Sequence, residues 1–143
     1  MQTDAVREKT YVRGQLLTAL AEFLPENVTE ISPLTRPFLP VIESVQKNLS
    51  ASIRREEYAA RFGWNVSSFS RAFRRAFGVG FKEYVERLMT DRLVEELLVT
   101  DKTLQQLAGE WGFCDAYYLS TFFKRRMGIS PEGYRKARLR NMG

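Results

Sequence analysis

Ala108-Gly109-Glu110-Trp111-Gly112-Phe113-Cys114-Asp115-Ala116-Tyr117-Tyr118-Leu119-Ser120-Thr121-Phe122-Phe123-Lys124-Arg125 has a counterpart earlier in the chain. That counterpart is Ala59-Ala60-Arg61-Phe62-Gly63-Trp64-Asn65-Val66-Ser67-Ser68-Phe69-Ser70-Arg71-Ala72-Phe73-Arg74-Arg75. Ala59 and Gly63 return as Ala108 and Gly112, a shift of 49, and after one inserted residue the shift becomes 50. At that second shift Asn65 aligns with Asp115, Ser70 with Ser120, Phe73 with Phe123, Gly78 with Gly128 and Tyr84 with Tyr134. One supersecondary unit is therefore used twice. In each copy a small alanine lets a second helix approach the first. Four residues on, a glycine supplies the left-handed backbone that ends the first helix. Asn65 and Asp115 are strong N-cap types, so the second helices are expected to begin at Val66 and Ala116. The layout is that of a helix-turn-helix.

Helical spacing then divides each second helix into two faces. Val66, Phe69, Phe73 and Phe77 fall on one side in the first copy, and Ala116, Leu119, Phe123 and Met127 in the second. These are expected to face the core. The opposite arc carries Ser67, Ser68, Arg71, Arg74 and Arg75, with Ser70 at its border. In the second copy it carries Tyr117, Tyr118, Thr121, Lys124 and Arg125, with Ser120 at the border. Short hydroxyl side chains near a helix start permit close approach to base edges and phosphates, and arginine pairs bidentately with guanine in the major groove. Two such arcs in register point to a double-stranded DNA partner. Helical geometry alone does not divide base-facing from phosphate-facing residues.

Outside the repeat the chain reads as helical throughout. Helices are expected at 41–49, 54–62, 66–77, 81–98, 103–111, 116–127 and 131–139. Pro25, Pro33, Pro37 and Pro40 mark 25–40 as an irregular connector. Upstream, Val12, Leu16, Leu20, Phe23 and Leu24 form one apolar stripe of a helix over about residues 5–24. Such a stripe must dock on its own downstream module, on a second copy or on an upstream domain. The chain thus divides into a lead-in, 1–40, and a tandem module, 41–143.

Composition excludes several classes. The 143 residues include 22 Lys and Arg, 17 Asp and Glu, no histidine and one cysteine. Without histidine there is no Ser-His-Asp or Cys-His nucleophile and no His-ligated metal, so no enzyme, cofactor or metal site is expected. The longest uncharged stretch is nine residues, Phe62 to Ser70, too short to span a bilayer. Neither a leader segment nor a disulfide is in view, so the expected location is cytoplasmic. Residues 1–40 hold four basic and five acidic side chains, whereas 41–143 hold eighteen and twelve. A basic module behind a near-neutral lead-in suits a polyanion. The competing reading is a protein-interaction module that uses the same exposed helices. Trp64 and Trp111 are expected as core plugs and Cys114 as a partly buried thiol. The basic tail, from Arg135 to Arg140, is left between phosphate contact and solvent.

Gly112-Phe113-x-Asp115, Phe123-Lys124, Gly128-Ile129-Ser130-Pro131 and Tyr134-Arg135 together resemble the signature of the AraC/XylS bacterial transcription regulators, over about residues 41–139. The resemblance implies an all-α fold of seven helices, with two helix-turn-helix subdomains joined by a linker helix at about Phe81 to Leu98. It also implies sequence-specific promoter binding, usually to activate transcription through RNA polymerase. It assigns base contact to Ser67, Ser70, Arg71 and Arg74, and to Tyr117, Ser120, Thr121 and Lys124. Ser68, Arg75, Tyr118 and Arg125 are left for phosphate. Thr121 stands where the family often has arginine, and Met89-Thr90-Asp91-Arg92-Leu93 replaces a common Arg-Leu-x-x-Ala run. Most members carry a sensor domain too large for forty residues to form. The chain is therefore expected to be a short regulator or part of a longer one, with residues 5–24 as a homodimer contact or the end of an upstream domain.

Overall fold

Proline placement decides how the first described helices start. In the computed structural model, which describes residues 32–142, Pro37 lies in the first turn of a 3-10 turn, Arg36–Phe38. Pro40 lies in the first turn of α1, Leu39–Lys47. An amide at those positions has no helical partner, so proline starts these helices instead of breaking them. The stretch 33–40, expected as irregular connector, is thus largely helical, and Phe38 is buried. The helix expected over 5–24 lies outside the described residues.

Six further helices follow: α2, Arg55–Arg61; α3, Val66–Phe77; α4, Phe81–Val99; α5, Leu104–Glu110; α6, Ala116–Met127; and α7, Pro131–Met142. No strand occurs among the described residues. The fold is all-α, with α2–α3 and α5–α6 as the two helix-turn-helix pairs and α4 as the long helix between them. The turn glycines behave as the repeat requires, with Gly63 at φ 74° and Gly112 at φ 75°. The Asn65 carboxamide oxygen accepts from the Ser67 and Ser68 amides at 2.9 and 3.4 Å. The Asp115 carboxylate accepts from the Tyr118 amide at 2.9 Å. These caps are why α3 and α6 start where the sequence said they would.

The described residues pack as two units, one holding 32–48 with Arg54–Lys82, the other Leu49–Ile53 with 83–142. The first has an aromatic core. Phe38 lies 5.3 Å from Trp64, stacked, and 5.4–5.8 Å from Phe69, Phe73 and Phe77, edge-on. Phe81 closes against Phe69, Phe73 and Tyr58 at 5.3–5.5 Å. Val41, Ile42 and Val45 of α1 are fully buried. Burial of each such side chain contributes roughly 1.5–3 kcal/mol.

The second unit has a mainly aliphatic core, built from Leu93, Leu97, Leu107, Ala108, Leu119 and Phe123, with Trp111, Phe113 and Tyr134 against it. Met89 and Leu93 are both buried on α4, so Met89-Thr90-Asp91-Arg92-Leu93 keeps an apolar stripe at helical spacing. Met127 is a correction: it is 38% exposed, whereas its counterpart Phe77 is buried against Phe38 and Phe73. Polar ties supplement this smaller core. Thr103 and Gln106 form a reciprocal capping box at the start of α5. The Ala51 amide donates to the Trp111 carbonyl at 2.8 Å. Arg135 donates to the carbonyls of Leu97, Thr100 and Lys102 at 3.0–3.2 Å. Its guanidinium therefore satisfies backbone acceptors at and beyond the C-terminus of α4, and Arg135 is a structural residue of the tail.

Candidate nucleic-acid interface

Because each capped helix buries one face, its opposite face is fixed in outline. On α3, Phe69, Phe73 and Phe77 are inward, and Ser67, Arg71, Arg74 and Arg75 are exposed. Ser68 is half-buried. Arg71, Arg74 and Arg75 form no ion pair with any described residue, so three guanidinium groups project from one helix face. Ser70 is different. It is half-buried, as expected at the border of the arc, and its hydroxyl is buried with no partner among the described residues.

Ser68, Arg71 and Arg75 also form one wall of a groove of about 430 Å³. Its other side consists of Pro33, Leu34, Pro37 and Phe38, with Trp64 and Ala72 completing it. The turn at 33–38 thus borders the arginine face directly.

On α6, Leu119 and Phe123 are inward and Tyr117, Tyr118, Thr121, Lys124 and Arg125 are exposed. Tyr117 and Tyr118 are 74% and 57% exposed, with rings 6.0 Å apart and nearly perpendicular. Ser120 is half-buried. Largely exposed tyrosine rings at the start of a helix are apolar area turned to solvent. Cys114, in the turn before them, is exposed and unpaired, not partly buried as expected.

The two arginines at the end of α6 are held by the acidic side of α4. Arg126 makes a bidentate pair with Glu83 at 2.8 and 3.0 Å, and its side chain is only 19% exposed. Fork geometry of this kind is the strong form of a charge-assisted bond. The guanidinium of Arg126, and after it that of Arg87, holds the Glu83 carboxyl down to about 2 from the usual 4.5. Arg125 pairs with Glu86 at 3.2 Å and lies 5.6 Å over the Phe122 ring. That pair is largely exposed on the arginine side and is worth about 0–1 kcal/mol, weak enough to exchange for another anion. Helical spacing gave the direction of Arg125. It gave no sign of Glu83 and Glu86, 43 and 39 residues away.

The structure therefore gathers Ser67, Arg71 and Arg74 on one face of α3, and Tyr117, Thr121 and Lys124 on the matching face of α6. Each set recurs at i, i+4 and i+7, one line along a helix. Ser68 and Arg75 flank the first line, and Tyr118 and Arg125 the second.

Comparison with known proteins agrees with this plan. A family model described as a helix-turn-helix domain, the AraC-type one, matches residues 58–137, from within α2 into α7. The chain belongs to the AraC-type helix-turn-helix family. The family member described as HTH-type transcriptional regulator Rv1931c of Mycobacterium tuberculosis is 37% identical over 81 residues, which cover 57% of this chain and 31% of that protein. The C-terminal domain of AraT, a response regulator from Geobacillus stearothermophilus, superposes with a TM-score of 0.68 at 25% identity, covering 76% of this chain and 88% of that one. The DNA-binding domain of AdpA, a global transcriptional factor solved in complex with a target DNA, superposes with a TM-score of 0.65. Identity there is 27%, over 71% of this chain and 91% of that domain. The chain spans less than half the length of the curated relatives it matches.

Proposed function

We propose that this chain is a sequence-specific, double-stranded-DNA-binding transcription regulator, an activator, that sets α3 and α6 into successive major grooves. The observation that carries the reading is the exposed arginine face of α3. Arg71, Arg74 and Arg75 stand on one capped helix with no internal counter-ion among the described residues. A domain of the same fold and 27% identity was solved on its target DNA. Ser67, Arg71, Arg74, Tyr117, Thr121 and Lys124 take the base edges, with Ser70 and Ser120 at the border of each line. Ser68, Arg75, Tyr118 and Arg125 take phosphate.

Successive major grooves on one duplex face lie about one DNA turn, roughly 34 Å, apart, so a site read by both helices would cover about 20 base pairs. The same reading places the protein in the cytoplasm with RNA polymerase as a partner. Residues 5–24 then serve as a homodimer contact or a junction to an upstream sensor domain. Residues 41–143, joined by the turn that carries Phe38, form the DNA reader. No enzymatic activity belongs to this reading.

Titration of a labelled duplex with the full chain at increasing salt tests it. DNA reading predicts a log–log slope of about −0.9 for each phosphate neutralised, with affinity collapsing between low and moderate salt. Absence of salt-sensitive binding to any duplex would favour a protein-interaction module.

A further inference from the structure

The two reading lines carry different chemistry. Along α3 the line is Ser67, Arg71, Arg74, and along α6 it is Tyr117, Thr121, Lys124. A guanidinium presents a planar fork that matches the O6 and N7 acceptors of guanine, whereas an ammonium is a point charge. Two arginines follow Lys124, yet both lie off this line and both are engaged. Arg126 holds Glu83 at 2.8 and 3.0 Å, and Arg125 holds Glu86 at 3.2 Å. The exposed front of α6 consists instead of two tyrosine rings, edge to face at 6.0 Å, and the methyl-bearing Thr121 one turn on.

Among the base edges in the major groove, one apolar group stands out: the C5 methyl of thymine. Side chains such as Tyr117 and Thr121 give nothing to a guanine edge that a bidentate arginine would not give better. Against a thymine methyl they remove apolar surface from water on both sides. Lys124, at the far end of the same line, supplies the positive charge that holds the helix against the phosphates.

Resting on the DNA-reading function above, we propose that the two halves of the target site are chosen by different chemistry. Tyr117 and Thr121 of α6 select thymine methyl groups, and Arg71 and Arg74 of α3 select guanine. The target is therefore a composite site, with a guanine-bearing half and a thymine-bearing half. Tyr118, with its ring edge-on to Tyr117, restricts where the Tyr117 ring can lie. Thr121, one turn on from Tyr117 on the same line, presents a methyl group where the equivalent position of α3 presents the Arg71 guanidinium.

Duplexes recovered from a random pool by the full chain provide the probe, with single thymines replaced by uracil, which removes only the methyl. At one or two thymines uracil is expected to weaken binding, by roughly fourfold for each methyl in contact. That loss should vanish in Tyr117→Ala or Thr121→Ala, remain in Thr121→Val, which keeps a methyl, and remain in Arg71→Ala. Both side chains are exposed, so circular dichroism should show the variants folded. Uracil duplexes that bind as well as their thymine parents would overturn the methyl reading while leaving DNA recognition standing. So would a loss that persists unchanged in both alanine variants. Failure to bind any duplex would overturn both.

Discussion

In the first unit five phenylalanines, Phe38, Phe69, Phe73, Phe77 and Phe81, enclose one another beneath a face of arginines that form no ion pair among the described residues. In the second, leucines and one phenylalanine form the core, and polar ties do much of the fastening. Those ties are the Thr103–Gln106 capping box, the Arg126–Glu83 fork and Arg135 on the carbonyls around the end of α4. One backbone plan is thus stabilised in two ways. The consequence reaches the surface. Arginines used inside the second unit leave its reading face to tyrosine and threonine, whereas the first unit keeps its arginines outward.

The comparison breaks most readily at Phe38. Phe38→Ala is expected to destabilise the first unit by about 3–5 kcal/mol, the cost of emptying a large aromatic site. Each unit contains one of the two tryptophans, Trp64 and Trp111, so their single-tryptophan variants report the units separately. Denaturant unfolding should move for the Trp64 signal. A shift of less than about 1 kcal/mol would show that Phe38 is no centre of that core.

Next in size is a pair of equivalent glycines. Both are left-handed, so an alanine at either costs about 1–2 kcal/mol in backbone strain. A Cβ at Gly63 meets nothing within 4 Å, whereas one at Gly112 collides with the Ser50 hydroxyl. Gly112→Ala should therefore destabilise more than Gly63→Ala, and Ser50→Gly should abolish the difference. Equal losses in thermal melts would contradict the close approach of Ser50 to the turn.

The smallest effect concerns acid. Glu83 is held at about 2 by Arg126, against 4.5 ordinarily. Its carboxylate therefore contributes stability above about pH 4.5 and loses it as pH falls towards about 2. Glu83 is partly exposed, so solvent screening trims the contribution. Glu83→Gln should flatten stability between those pH values relative to wild type. An unchanged acid profile would remove the Arg126–Glu83 fork from the account.

Local rules in the chain explain which parts were legible. The bounds of α3 and α6 follow from Asn65, Asp115, Gly78 and Gly128, each acting within a few residues. The repeat itself revealed the two-unit plan. Phe38 was hidden because prolines break helices in general but begin them at the first turn, and residue order does not say which applies. The ion-pair and carbonyl partners of Arg125, Arg126 and Arg135 were hidden for another reason. A helical wheel gives a side chain's direction, whereas Glu83, Glu86 and the carbonyls near the end of α4 are brought to it only by tertiary packing. Met127 was expected in the core stripe but is exposed, because it lies in the last turn of α6, where the helix runs out from under its core.

The central claim is that the outward arginines of α3 read bases. Its most direct measurement compares wild type with Arg71→Ala on a selected duplex and on a scrambled duplex of the same composition. A base reader predicts a loss of about 1–3 kcal/mol on the selected site and little on the scrambled one. Equal losses on both would show that Arg71 only neutralises phosphate, and would contradict the claim.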